Sequence, residues 1–238
     1  MKEIHIFYAP ELPVQTELPD EEAGHAVRVL RMKAGDELVA TDGKGNFYEC
    51  TLANASPKHC TVNVVRDYPG EKYWRGHIHL AVAPTKNMDR MEWLAEKATE
   101  IGFDALSFLL CKNSERKVIK TDRVEKIVVS ATKQSHKAWK PQVAEITPFR
   151  QFIASPRNGR KFIAHCLKED GELPFLYDLI PNEGEVTVLI GPEGDFSADE
   201  VATAEAAGYV SVSLGHSRLR TETAALVAVG LMNLKLQS

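Results

Sequence analysis

Apolar runs of strand length follow one another through the first 70 residues: HIFYA, DELVATDG, FYECTLA and HCTVNVV, separated by Gly, Asn and Pro turn signals. This spacing predicts a small β-barrel domain over residues 1–70, with a hairpin tip at Gly43 to Asn46 and a turn at NASPK. Tyr68-Pro69-Gly70 is the expected boundary. Beyond Gly76 strand-like and helical patterns alternate: HIHLAVA, Asp89 to Ile101, ALSFLL, Asp122 to Lys137, KFIAHCL, VTVLI, Ala198 to Ala207, YVSVSLG and Glu222 to Leu236. Such alternation builds an α/β domain on a mainly parallel sheet, here expected over 71–238. Ser197-Ala-Asp-Glu200 has the capping-box spacing, and Gly102 and Gly208 are placed to end helices.

Composition narrows the function. No apolar stretch approaches the roughly 20 residues of a membrane span, and the N-terminus lacks the features of a secretory signal, so a cytoplasmic protein is expected. Cys50, Cys60, Cys111 and Cys166 are scattered and read as buried free thiols. His77 and His79 share a strand face but have no evident third ligand, so no metal is expected. The net charge of −4 hides an asymmetry: residues 112–140 carry 9 basic and 3 acidic side chains, whereas 181–238 carry 3 and 8. A polyanion would find one concentrated landing site.

Two strand ends carry the chemistry, since ligands of α/β sheets gather beyond the carboxyl ends of strands. VTVLI runs into Gly191-Pro192-Glu193-Gly194-Asp195, and YVSVSLG runs into His216-Ser217-Arg218-Leu219-Arg220-Thr221-Glu222. The first loop permits close backbone approach but has neither P-loop nor dinucleotide spacing, which disfavours a nucleotide hydrolase. In the second, Arg218 and Arg220 are permanent cations that serve either the acidic C-terminal region or a ligand. Arg123, Lys126, Lys133 and Lys137 fall on one face of the helix expected from Thr121 to Lys137, and Trp139 and Lys140 continue that stripe; it is either a solvated face or an RNA contact. His25, Arg28 and Arg31 form a second candidate RNA contact of helical spacing.

GPEGDFS together with LGHSRLRTETAAL resembles the paired signatures of the bacterial 16S rRNA uridine-N3 methyltransferases, the RsmE family of the SPOUT class. The resemblance extends to HAVRVLRMKAGDEL, DGKGNFYEC, TKNMDRMEWLAEKATEIGFD and KQSHKAWKP, nearly the whole chain. It implies a PUA-like β-barrel that positions RNA, then an α/β SPOUT domain whose C-terminal backbone threads through itself as a trefoil knot. It further implies S-adenosylmethionine held by His165, Leu167, Leu189, Ile190, Gly191, Pro192, Glu193, Gly194, Leu214, Gly215, Arg218, Leu219 and Arg220. The family pattern has glycine where this chain has Asp195. Arg220 is the expected catalytic cation; Glu222, Glu193, His165 and His216 are the candidate proton acceptors, with Glu222 placed beside Arg220 as the catalytic pair. The expected partners are ribosomal RNA in an assembled small subunit and a second copy of the chain in a homodimer. Another RNA target, ribose methylation, or a non-catalytic RNA-binding adaptor are the alternatives.

Overall fold

The structure, a computed structural model, describes residues 5–167 and 172–237. Two compact units are present. The first contains β1 (Ile6–Tyr8), α1 (Asp20–Gly24), β2 (Glu37–Thr41), β3 (Asn46–Asn54) and β4 (Thr61–Pro69). The strands form one sheet in the order β1-β2-β3-β4, parallel at β1-β2 and antiparallel elsewhere. Glu17 extends it by bridging to Thr61 at the start of β4. Phe7, Ala26, Leu38, Leu52 and Val62 fill the core. The expected helical spacing of His25, Arg28 and Arg31 becomes a π-helical turn, His25–Val29, running straight on from α1. It buries Ala26 and leaves those three side chains exposed.

Residues 129–140, expected in the second domain, group with the first unit. Glycines explain how: a Cβ on Gly45 would lie 2.4 Å from the Trp139 ring, and one on Gly70 would lie 2.2 Å from Ala138. Lys133 pairs with the buried Glu22 carboxylate in the same unit.

The second unit holds β5 (Gly76–Val82), α2 (Met88–Ile101), β6 (Ala105–Leu110), the first half of α3 (Thr121–Gln134), β7 (Gln142–Pro148), α4 (Phe149–Ala154), β8 (Arg160–Ala164), α5 (Leu176–Leu179), β9 (Gly184–Ile190), α6 (Ala198–Ala206), β10 (Val210–Val212) and α7 (Thr221–Gln237). Its six strands run parallel in the order β10-β8-β9-β5-β6-β7. Both faces of β9 are covered, Val186, Val188 and Ile190 entering one core and Leu189 the other, which is why VTVLI is buried without alternation. The chain builds outward from β5 to β7, then returns to place β8, β9 and β10 on the other side, a topological switch that brings three late strand ends together. Residues 168–171, between β8 and α5, lie outside the described residues. No helix among the described residues is long and apolar enough to cross a membrane.

Local signals set the helix ends. Ser197 and Glu200 form the reciprocal capping box, and Asn87 accepts the Asp89 N–H to start α2. α3 stops at Gln134, three residues before the expected Lys137, and His136 turns the chain at φ 54°. α7 buries Ala225, Ala228, Val229, Met232 and Leu236 against the core, and its buried Asn233 donates to the Gly102 carbonyl at 2.9 Å.

His79, in β5, bonds the Ser107 hydroxyl through Nε2 at 2.8 Å. Burial, helped by Arg157 and His77, pushes its imidazole down to about 3. The unfolded chain therefore binds a proton that the folded chain refuses between about pH 6.5 and 3, so this contribution is present above the upper value and lost as pH falls through the window. The unfolding free energy from denaturant titrations is expected to fall by up to about 1.4 kcal/mol per pH unit there. His79→Gln is expected to flatten that slope; an equal slope in the variant would assign it to other groups.

Candidate functional site

The ends of β8, β9 and β10 carry the segments expected to bind a cofactor, and the loops after β5 and β6 stand at the same edge of the sheet. Leu189 and Ile190, expected at the cofactor, end β9; their side chains lie in the two cores of this unit, and their backbones pair with β5 and β8. The loop after β9 begins at Gly191. Gly191 and Pro192 are buried and Glu193 and Gly194 exposed. Gly191 is tightly packed: a Cβ there would sit 3.1 Å from the Phe196 backbone nitrogen and ring, so Phe196 would have to give way slightly to admit a side chain.

Asp195 occupies a left-handed conformation, φ 61°, one that Asp tolerates better than most residues. Its Oδ2 accepts the Cys166 N–H at 2.8 Å and its Oδ1 the Phe196 N–H at 2.7 Å. A glycine would suit the torsion but leave the Cys166 amide without this acceptor, so Asp195 fastens the β8 loop to the β9 loop. Glu193 is fastened too: its carboxylate accepts the Lys86 N–H at 3.0 Å, from the loop after β5. Asn113, from the loop after β6, donates to the Gly194 and Asp195 carbonyls at 3.2 and 3.0 Å.

On the β8 side His165 is buried and its Nε2 lies 2.9 Å from Ser211 Oγ, which donates to Glu205 at 2.6 Å. With the single hydroxyl proton given to Glu205, His165 donates from Nε2 and keeps Nδ1 as an acceptor. That Nδ1 is buried and has no partner. Leu167 packs half-buried on the core. Cys166, expected to be buried, is exposed, unlike the buried thiols Cys50, Cys60 and Cys111.

In the β10 loop Leu214 and Leu219 are half-buried, whereas Gly215, Arg218 and Arg220 are exposed. Gly215 has φ 112° and open space where a Cβ would go. Glu222, at the start of α7, is buried; its Oε1 lies 3.6 Å from Arg90 Nε while Oε2 has no partner. Arg90, on the first turn of α2, was not expected at the site. Nothing local marks it, because its partner is distant in sequence. His216 is exposed.

Several members of the expected basic stripe already have partners. Arg123 pairs with Glu92 and Lys133 with Glu22; Lys126, Lys137 and Lys140 make contacts of their own, and Lys137, Trp139 and Lys140 lie beyond the end of α3. Among the described residues no three His, Cys, Asp or Glu side chains gather as a metal site requires.

The chain matches the family described as RNA methyltransferase domain over residues 72–233, and RNA methyltransferase PUA domain over residues 18–65. A Mycobacterium bovis protein named ribosomal RNA small subunit methyltransferase E is 30% identical, over 94% of this chain and 89% of its own. Among solved structures, a probable rRNA-methyltransferase from Porphyromonas gingivalis is 44% identical with a TM-score of 0.91, over 98% of both chains. The ribosomal RNA small subunit methyltransferase E of Neisseria gonorrhoeae, solved bound to S-adenosyl methionine, is 27% identical with a TM-score of 0.85, again over 98% of both.

Cys166 reports on the fastened loops. Partial burial of its sulfur and then the Asp195 carboxylate raise the thiol pKa, while Arg218 lowers it. In alkylation-rate profiles against pH, Asp195→Asn is expected to move the midpoint down and Arg218→Gln to move it up. Superimposable profiles for all three proteins would remove both groups from the neighbourhood of the thiol.

Proposed function

The chain belongs to the ribosomal RNA small subunit methyltransferase E family, and on that premise we propose that it methylates N3 of a uridine in 16S ribosomal RNA with S-adenosylmethionine as methyl donor. The observation that carries this reading is the meeting, at one sheet edge, of a glycine-lined backbone cradle with an exposed arginine and a buried carboxylate having one unpartnered oxygen.

The residues present fit such a cofactor. A buried acceptor without a partner, His165 Nδ1, and open space at Gly215 are features that polar groups and flat rings of a small molecule satisfy. Gly191 to Gly194, His165 to Leu167 and Leu214 to Arg220 would hold it. When bound, S-adenosylmethionine supplies an electrophilic methyl group on a sulfonium.

The protein's share is to manage charge on the uracil. N3 attacks only as its imide proton leaves, and negative charge then spreads onto the ring oxygens. Arg220 has no side-chain partner among the described residues, so its guanidinium is available to those oxygens. Donors aimed at such charge in the assembled site contribute about 3 kcal/mol to the transition state. Glu222 Oε2 takes the proton, held in place by Arg90 on Oε1. Glu193 suits this less, being engaged with Lys86, and His216 stands in solvent. In this reading the enzyme acts in the cytoplasm on an assembled small subunit. It does so as a homodimer, which the exposed Leu234, Phe175 and Tyr177 of the second unit support.

Arg220→Ala is expected to slow single-turnover methyl transfer by roughly 10² to 10³ with cofactor affinity changed only a few-fold, and Arg220→Lys to restore little. A rate within threefold of wild type would take Arg220 out of the reaction. Glu222→Gln is expected to slow single-turnover transfer by roughly 10² or more with cofactor affinity little changed; a rate within threefold of wild type would move the proton elsewhere. Light scattering is expected to give twice 26.4 kDa, and an active monomer would contradict the dimer.

A further inference from the structure

The connection from β6 to α3, Cys111 to Lys120, has no regular structure yet is held to the site at several points. Cys111 N–H donates to Ser114 Oγ at 3.0 Å and Lys112 N–H to Glu200 Oε1 at 2.8 Å. Asn113 reaches the Gly194 and Asp195 carbonyls, and Arg116 donates to the Thr85 carbonyl at 3.0 Å and to that of Lys86. The connection is longer than the roughly two to six residues of an ordinary strand-to-helix connection.

What the anchored loop presents is positive. Lys112, Lys117 and Lys120 are exposed, and their ammonium groups have no partner among the described residues. Arg116 and Lys86 lie alongside, the latter paired with Glu115 at 3.3 Å, and Val118 stands 70% exposed between the lysines. The loop ends at a depression of about 560 Å³ lined by Lys120, Arg123 and Lys126 together with Asp122 and Glu145. Glu145 is already engaged by the Thr121 hydroxyl. An array of unpaired cations is a poor contributor to folding, since like charges repel; it gains by releasing counterions from a polyanion.

We propose that this loop, through Lys112, Lys117 and Lys120, is the platform that binds the phosphates of the RNA strand flanking the target nucleotide. The proposal rests on the methyltransferase reading above and replaces the helical stripe as the locus of the charge in residues 112–140. Because Asn113 and Arg116 tie the platform to the backbone of the loops after β9 and β5, a strand seated on it is held in fixed register with the site. Side-chain changes at the three lysines leave those ties intact, including the Lys112 bond, which uses its backbone.

The test compares wild type with Lys112→Gln/Lys117→Gln/Lys120→Gln, the same triple change to Arg, and Lys133→Gln, on small ribosomal subunits lacking the methyl group. The Gln triple variant is expected to raise KM for the subunit roughly 10- to 50-fold. It should flatten the logarithmic salt slope of binding by about 2, from ~0.7 per neutralised contact, with kcat and calorimetric cofactor affinity unchanged. The Arg triple variant is expected to restore both. Lys133→Gln, which strands the Glu22 carboxylate, is expected to lower the melting temperature and leave the salt slope alone. A Gln triple variant with the wild-type slope, or an Arg triple variant without rescue, overturns the proposal while leaving the activity standing. If wild type methylates no RNA at all, the reading beneath it fails instead.

Discussion

Backbone groups in the loops beyond a parallel sheet have no ladder to enter, and at the functional edge of this protein side chains from other segments take them up. Asp195, Glu193 and Glu200 accept the N–H groups of Cys166, Lys86 and Lys112, while Asn113 and Arg116 donate to carbonyls of the β9 and β5 loops. Bonds of this kind contribute roughly 0.5–1.5 kcal/mol each, and each of these side chains ties two segments together. The four loops after β5, β6, β8 and β9 are thereby joined into one scaffold. Positioning of reacting groups to a fraction of an ångström depends on such supports more than on the groups that touch the ligand.

The same bonds change what the charges mean. The C-terminal part of the chain has a marked acidic excess, which taken as free charge would repel RNA. Three of those carboxylates are turned onto backbone donors, and a fourth, Glu222, lies buried against Arg90. Their charge is offset locally by amide dipoles and a guanidinium. The basic excess of residues 112–140 divides the other way: Arg123 and Lys133 are neutralised by glutamates, and the lysines of the irregular loop remain for a partner. Formal charge along a chain measures how much there is of each sign; the fold decides which of it faces outward.

Legibility in the sequence follows the same division between local and distant causes. VTVLI and ALSFLL declared themselves as strands, and Ser197 to Glu200 as a cap, because each signal is complete within a few residues. β7 was not legible: QVAEITP is a sheet edge with no face well buried, so it lacks both alternation and an apolar run. The end of α3 was hidden because His136, not a glycine, adopts the turn. The GPEGD and LRTE loops could be picked out as a site from glycines, arginines and family resemblance. Arg90 could not, nor could the grouping of Ala138 and Trp139 with the first unit, since both depend on packing across long sequence separations. Spacing showed that Glu193 and Asp195 were acidic and near a turn, but not that each faced an amide of another loop.

One loop stands apart from the scaffold. Residues 214–220, which carry Arg218 and Arg220, receive no side-chain bond from the other four loops among the described residues; Gly215 is held only by Ser213 two positions back. Open space beside Gly215 and exposure of both guanidiniums leave this segment the least supported wall of the site. If this loop walls the donor as proposed, both ligands meet at the one segment whose geometry the neighbouring loops do not fix, and part of their binding energy would go to completing the site instead of tightening either complex. Discrimination between the right RNA and others would then be expressed in the rate of transfer more than in affinity.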